Sequence, residues 1–448
     1  MPGRPGQGTA AGGAMGQQPR RLTPSASTLH YFGAELRRLR TAAGLSQAEL
    51  GRKIRYTADT VRRCETAERV PSDRFVTDCD TVLGAGGALA ALWKTARFHG
   101  VRRPAAGDSG FEAPALDRPT LDWLLGNLGH APGRPPMLTP DEAVLDRAAG
   151  ELERLREADH RYGAGVVHDQ IDTLIAGEVT ALRSASDGPA ATSTGRSLVV
   201  GAYELAGYAA VDVGAVGTAQ RHYLNGLVAA QDDRRYGAYL IGVSLAHLAL
   251  HCGDASTALR MSLAASAGTD SCSTPAIRSA LAAVTARAHA RLGEEAASTR
   301  ALAVADRELE AIRPGDEPAW IGYFDGAYLA DERAHCLVDL GQHRAAQAEV
   351  RQAVASLAPT RRRRLAIDTA LLATSLAASG DIEEACAVGR TAVDHAAAIA
   401  SLRSSQRVLA VLARLADHAD VAAVREFREY ATERLSPPAA AGALRLAG

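Results

Sequence analysis

Ala58, Asp59, Arg62 and Arg63 carry the chemistry this sequence is best equipped for. Small and polar side chains and guanidinium groups set out together on one outward helix face are what the major groove of a duplex would meet. Other groupings do less. His247, His251 and Cys252 stand at metal-pair spacing, but no third ligand or HExxH glutamate accompanies them, so they read as structural. Arg361 to Arg364 open a helix with positive charge, against its dipole, and read as a solvated loop that could at most take an anion. No GxxxxGK[ST] is present to cradle phosphates and no Ser/His/Asp grouping rises above background. No enzyme and no cofactor is therefore expected.

The elements that must position those four residues can be read from local signals. Ser46 and Glu49 make a capping box that starts a helix carrying Leu50 and Ile54 on one face. Arg55 and Tyr56 turn the chain, and Thr57 caps a second helix whose Val61 and Cys64 point back at Leu50 and Ile54. Phe32, Leu36 and Leu39 give a preceding helix its apolar stripe, with Arg37, Arg38 and Arg40 outside it, and Gly44 supplies the left-handed residue that ends it. Pro71 and Ser72 open a fourth helix with Phe75 and Leu83 inward, and residues 87 to 96 form a fifth.

The stretch from Phe32 to Gly84 resembles the phage-repressor (Cro-like, xenobiotic-response-element) helix-turn-helix family, with its L-R-x-x-R-x-x-x-G-x-S-Q-x-x-L opening and its closing E-x-G-x-R-x-P-S. Gly51 keeps the small residue of the motif, whereas Arg55 and Ala67 stand where glycines are usual. The resemblance implies that Thr57, Ala58, Asp59 and Arg63 read base edges, that Gln47 sits at the contacting end of its helix, and that Arg62 and Arg69 lie near phosphates. It also implies a homodimer on a palindromic operator in double-stranded DNA.

At 448 residues the chain needs more than one domain. It is 47% hydrophobic but only 4% aromatic, and alanine and leucine dominate, which favours closely packed helices over sheets. The total charge of −1 hides a gradient: residues 30 to 104 hold 14 Lys/Arg against 8 Asp/Glu, a net of +6, and residues 105 to 448 carry −10. A basic module on an acidic body suits a protein whose N-terminal domain alone touches phosphates. Six scattered cysteines without CxxC pairing read as buried free thiols, and the absence of a signal peptide or a spanning apolar run points to the cytoplasm and away from membranes.

An all-α chain is expected, in five parts: a disordered tail over 1–27, the helix-turn-helix domain over 28–98, a Pro/Gly-rich linker over 99–140 with a short docking turn at Leu121 to Leu125, a helical repeat over 141–436, and a flexible tail over 437–448. The repeat is marked by Gly214, Gly253, Gly293, Gly341 and Gly380, spaced 39, 40, 48 and 39 residues apart. Five residues after each stands Ala219, Ala258, Ser298, Ala346 or Ala385, and twelve after stands Gly226, Ala265, Ala305, Ala353 or Ala392. A helix ends at each glycine, and a second packs closely against it through the small residues; stacked pairs build a solenoid.

The glycine and two alanines resemble the core of tetratricopeptide repeats, and the two-part architecture resembles regulators common in high-GC bacteria. A longer unit between Gly293 and Gly341 contains DEPAWIGYFD, where Trp320, Tyr323, Phe324 and Asp325 form a candidate site for a peptide, small-molecule or protein effector. The competing reading is an interaction scaffold with a vestigial helix-turn-helix. The basic surface of the N-terminal domain argues against it.

Overall fold

The computed structural model describes residues 28–85, 89–90, 93, 110–126, 142–180, 182, 193–269, 272–313 and 315–435. All regular structure among these residues is helical. The two tails and most of the linker expected from the sequence lie outside them.

The N-terminal bundle is built from α1 (Thr28–Ala42), α2 (Gln47–Ile54), α3 (Ala58–Glu65) and α4 (Asp73–Val82). Leu89, Ala90 and Trp93 represent the expected fifth helix; its other residues lie outside the described set. Phe32, Leu36, Leu50, Ile54, Val61, Cys64, Phe75 and Trp93 form one buried core. Burial pushes the Cys64 thiol up to about 11, so it packs as a neutral group.

Part of the expected linker is structure. Residues 113–116 make a 3-10 turn that leads into α5 (Asp117–Leu124), and Leu116 and Trp123 join the core of the repeat domain. The docking segment is therefore longer than the sequence suggested, and it packs through Leu116, Thr120 and Trp123, while Leu121 and Leu125 stay exposed at 53% and 63%. Arg234 locks the segment down. Its guanidinium lies 4.8 Å from the Trp123 ring centre and donates to the carbonyls of Trp123, Leu124 and Gly268. At the other end Glu112 exchanges two 2.9 Å hydrogen bonds with the Gln220 amide.

The repeat domain begins with α6 (Glu142–Tyr162) and α7 (Ala164–Leu174), and continues as helical hairpins. These pair α8 (Ser193–Asp212) with α9 (Val216–Ala229), α10 (Arg234–Tyr239) and its continuation α11 (Ala246–His251) with α12 (Ala255–Thr269), and α13 (Pro275–Arg291) with α14 (Glu295–Glu310). Then follow α15 (Gly326–Asp339) with α16 (His343–Ser356), α17 (Arg362–Ala378) with α18 (Ile382–Ala397), and α19 (Leu402–Arg414) with α20 (Ala422–Leu435).

The five marker glycines are the turns of the first five hairpins. Each has φ between 75° and 88°, and at each the next residue donates its N–H to the carbonyl five positions back, as in Ala215 to Ala210 at 2.8 Å. That is the Schellman helix ending, and its left-handed residue favours glycine. Ala219, Ala258, Ser298, Ala346, Ala385, Ala265, Ala305, Ala353 and Ala392 are all fully buried, so the small residues do mark the faces where the paired helices meet.

The solenoid also closes on itself, which its sequence did not announce. Ala400 exchanges backbone hydrogen bonds with Tyr162 and Gly165 at 2.7 and 2.9 Å. Gly163, at φ 87°, would place a Cβ 2.6 Å from the Ala400 carbonyl oxygen, so only glycine fits this seam. The arginine run corrects its own expectation. Arg363 is buried, donates to the Asp159 carboxylate at 2.5 and 2.9 Å, and lies 3.2 Å from Asp212. Arg364 reaches Asp331 and Asp368, and Arg361 donates to His160. Asp159, Asp212 and Asp331, far away in sequence, pull Arg363 and Arg364 into ion pairs, while Arg361 and Arg362 stay exposed.

The thiol expectation also changes in part. Cys64, Cys79, Cys336 and Cys386 are buried, but Cys272 is exposed.

Candidate nucleic-acid interface

Caps set the two central helices of the N-terminal domain. Ser46 and Glu49 exchange both bonds of the capping box, at 3.2 and 2.7 Å. Arg55, at φ 60° and ψ 40°, ends α2 in the left-handed conformation, and the Tyr56 N–H closes the turn on the Gly51 carbonyl at 2.8 Å. Thr57 then caps α3 by accepting from the Thr60 N–H at 3.1 Å. Gly51 is needed for close approach, since a Cβ there would lie 2.7 Å from the Tyr56 carbonyl oxygen.

The orientation of α3 rests on Glu65, which is fully buried. Its carboxylate accepts from Arg40 at 2.5 and 3.2 Å and from the Gln47 amide at 2.7 Å, with Arg37 at 3.6 Å. One buried acid thus ties α1, α2 and α3 together. Gly33 lets α1 approach, because a Cβ there would meet the Glu65 carbonyl oxygen at 2.4 Å. The sequence reading missed this knot. Arg40 lies 25 residues from Glu65 along the chain and carried no local sign of pointing inward.

With Thr60, Val61, Cys64 and Glu65 buried, α3 exposes Thr57, Ala58, Asp59 and Arg63, and half-exposes Arg62. The structure thus brings five of the seven anticipated contact residues onto one outward surface at the N-terminal end of α3. Arg69 follows, exposed, just past the helix. Gln47 is half-buried and spends its amide on Glu65. Arg62 is bridged to Asp59 at 2.9 Å and to Glu68 at 3.1 Å, and the Asp59 hydrogen bond holds its guanidinium more firmly protonated. Arg63 and Arg69 have no carboxylate partner among the described residues and are the cations this surface offers outright.

The aromatic segment of the solenoid is arranged differently. Phe324 is buried in the core, and Asp325 caps α15 by accepting from the Tyr328 N–H at 2.8 Å. Trp320 stacks on Tyr236 at 4.2 Å with planes 11° apart, and the Tyr323 hydroxyl pairs with that of Tyr239 at 2.8 Å. Trp320 and Tyr323 keep half-exposed surface.

His247 pairs with Glu332 at 3.1 Å, and among the described residues no group of three or more His, Cys, Asp or Glu could hold a metal ion. No helix among the described residues is long and apolar enough to cross a membrane.

The described fold is all-α, with a helix-turn-helix bundle ahead of a helical solenoid, and it defines a protein equipped for DNA. Residues 32–93 match the family model of a helix-turn-helix domain. No curated protein and no solved structure matches the chain.

Proposed function

We propose that this protein is a sequence-specific transcriptional regulator of the Cro-like type. In this reading two copies bind the half-sites of a palindromic operator through α3, and the tetratricopeptide-like solenoid holds the dimer together and senses an effector. One observation carries the reading: a capped, rigidly anchored helix presents its N-terminal residues to solvent, and the unpaired cations Arg63 and Arg69 flank them. That is the presentation a helix-turn-helix uses in a major groove. Pairing two heads follows from the small surface one head can bury and from the gain in affinity when two half-sites are engaged together. The aspartate beside Arg62 fits the same scheme, since it tempers phosphate attraction and leaves relatively more of the binding to base contacts. Genome-wide mapping of bound fragments tests the proposal. It should recover one shared inverted repeat, and recovery of sites with no common sequence would refute it.

A further inference from the structure

Six of the chain's 20 aromatic residues meet at one place in the solenoid, although they come from two distant stretches. Tyr236 and Tyr239 stand on α10; Trp320, Tyr323 and Phe324 belong to the insertion ahead of α15, and Tyr328 to the first turn of that helix. Their rings form an unbroken series. Between centres, Tyr236 lies 4.2 Å from Trp320, Trp320 5.2 Å from Tyr239, Tyr239 6.4 Å from Tyr323, Tyr323 5.1 Å from Tyr328 and Tyr328 5.2 Å from Phe324.

The backbone behind these rings is fixed at both ends. The Glu317 carboxylate accepts from the Thr274 hydroxyl and from the Ala276 N–H, the latter at 3.1 Å, and so ties the insertion to the start of α13. Phe324 in the core and the Asp325 cap hold the other end. A wall anchored in this way is organised before any ligand arrives. It is also open: Tyr236, Tyr239 and Phe324 are buried, whereas Trp320, Tyr323 and Tyr328 keep half-exposed surface. Tyr236 covers one face of Trp320, with planes 11° apart, so the exposure of Trp320 belongs to its other face and its rim.

Charge along the wall is matched at one end and not at the other. The Arg364 guanidinium lies 4.4 Å from the Tyr328 ring centre, and Asp331 at 3.3 Å and Asp368 at 3.4 Å meet its charge. The chain thus sets one of its own cations on this wall and supplies acids for it. At the other end stands Glu204 on α8, half-exposed, with Oε2 accepting from the Tyr236 hydroxyl at 2.7 Å and no ion pair to any described residue. Arg156 reaches it only electrostatically and pairs instead with Glu153 at 3.8 Å. Burial pushes the Glu204 carboxyl up from its ordinary range, as befits an acid that protein surrounds without a counterion. Tyr236 joins the two features, since its hydroxyl holds Glu204 and its ring lies on Trp320; carboxylate and indole are within the span of one small molecule. An aromatic face beside an unmatched carboxylate attracts an organic cation through both the ring quadrupole and the charge.

We propose that Glu204 and Trp320, bridged by Tyr236 and flanked by Tyr323, bind a small organic cation: an alkylated ammonium whose charge pairs with Glu204 and whose alkyl groups lie on the indole. In the regulator reading this cation is the effector, and the site rests on that reading only for its consequence. The test is a calorimetric titration of the purified full-length chain, without DNA. Its probes are choline, the isostere 3,3-dimethylbutanol, which has carbon in place of the charged nitrogen, and pentalysine as a basic peptide.

Wild type should bind choline about tenfold or more tightly than the isostere. Glu204→Gln, which keeps an acceptor for the Tyr236 hydroxyl, should bring the two ligands within about threefold of each other. Trp320→Leu should weaken choline about tenfold and Trp320→Phe by less, while Glu383→Gln on exposed surface of α18 should match wild type. The wild-type comparison needs no variant to fold. Equal affinity for choline and its isostere, or no binding of choline, would overturn the site, as would a folded Glu204→Gln chain that keeps the wild-type preference. Tighter binding of pentalysine than of choline would give the wall to a basic peptide and overturn the small-molecule assignment. Since the titration contains no DNA, its failure strikes the cation site alone, and a chain that binds choline but no duplex counts against the regulator reading instead.

Discussion

Two residues of the N-terminal domain sit in a conformation that suits glycine and are not glycine: Arg55 at φ 60° and Ala67 at φ 57°. The left-handed region costs an L-residue about 1 kcal/mol, so Arg55→Gly should stabilise the domain by about 0.5 kcal/mol after the greater entropy of the unfolded chain is subtracted. Chemical denaturation would show this as a raised midpoint at constant slope, and an unchanged or lowered midpoint would mean that Arg55 makes a compensating contact. Glu65 works in the other direction. Glu65→Ala leaves Arg40 buried beside a lost partner and should cost about 3 to 5 kcal/mol; a loss under 1 kcal/mol would show that the knot around it is dispensable. The difference in legibility between these residues is physical. A cap such as Ser46 or Thr57 bonds three positions along its own chain, so its role is written locally. The Arg40–Glu65 pair exists only after α1 and α3 have packed, and nothing near Arg40 distinguishes it from the outward Arg38.

Hairpins were readable for a similar reason. A left-handed turn selects glycine and a close helix contact selects alanine, and both signals repeat with the structural unit, so Gly214 to Gly380 and their small partners located the helix pairs before any contact was known. The segment 110–126 was harder, because its docking face depends on what it docks against: nothing local singles out Trp123 in the stretch from Leu121 to Leu125, yet it is Trp123 that finds the space over Gly237 and Gly268. Trp123→Ala should therefore cost about 3 to 5 kcal/mol in the folding of the repeat domain and expose residues 110–126 to limited proteolysis. A protease-resistant variant would show that Arg234 and Gln220 hold the segment without the ring. The contents of the aromatic insertion separate in the same manner: Phe324 is buried in the core and exposed Asp325 caps α15, while Trp320 and Tyr323 keep half-open surface.

Across the whole molecule, closure of the solenoid and docking of the head on α19, whose Leu409 belongs to the apolar cluster of the helix-turn-helix bundle, turn two expected modules into one connected body. Three of its histidines are hard to protonate. Burial lowers His251 to about 3 and His160 to about 4, in each case reinforced by nearby arginines, and His335 is also held well below its ordinary value by burial. Unfolded histidine titrates near 6.5. The unfolded chain therefore takes up protons below that pH which the folded chain refuses, so stability is full above about 6.5 and falls as pH drops towards 4. Melting temperature should decline over that interval, and His251→Gln should make the decline shallower; a flat profile in wild type would contradict the buried, neutral assignment.

The central claim concerns the outer face of α3, and a titration against a library of duplex sites at two salt concentrations tests it most directly. Arg63→Ala should lose about 1 to 3 kcal/mol on sites carrying one particular base and little elsewhere. Arg69→Ala should weaken all sites alike and reduce the salt slope by about 1. Arg62→Ala should follow Arg69→Ala more weakly, since Asp59 and Glu68 already share its charge. Indistinguishable profiles for the three variants, or no affinity of the wild-type chain for any duplex at low ionic strength, would contradict the account.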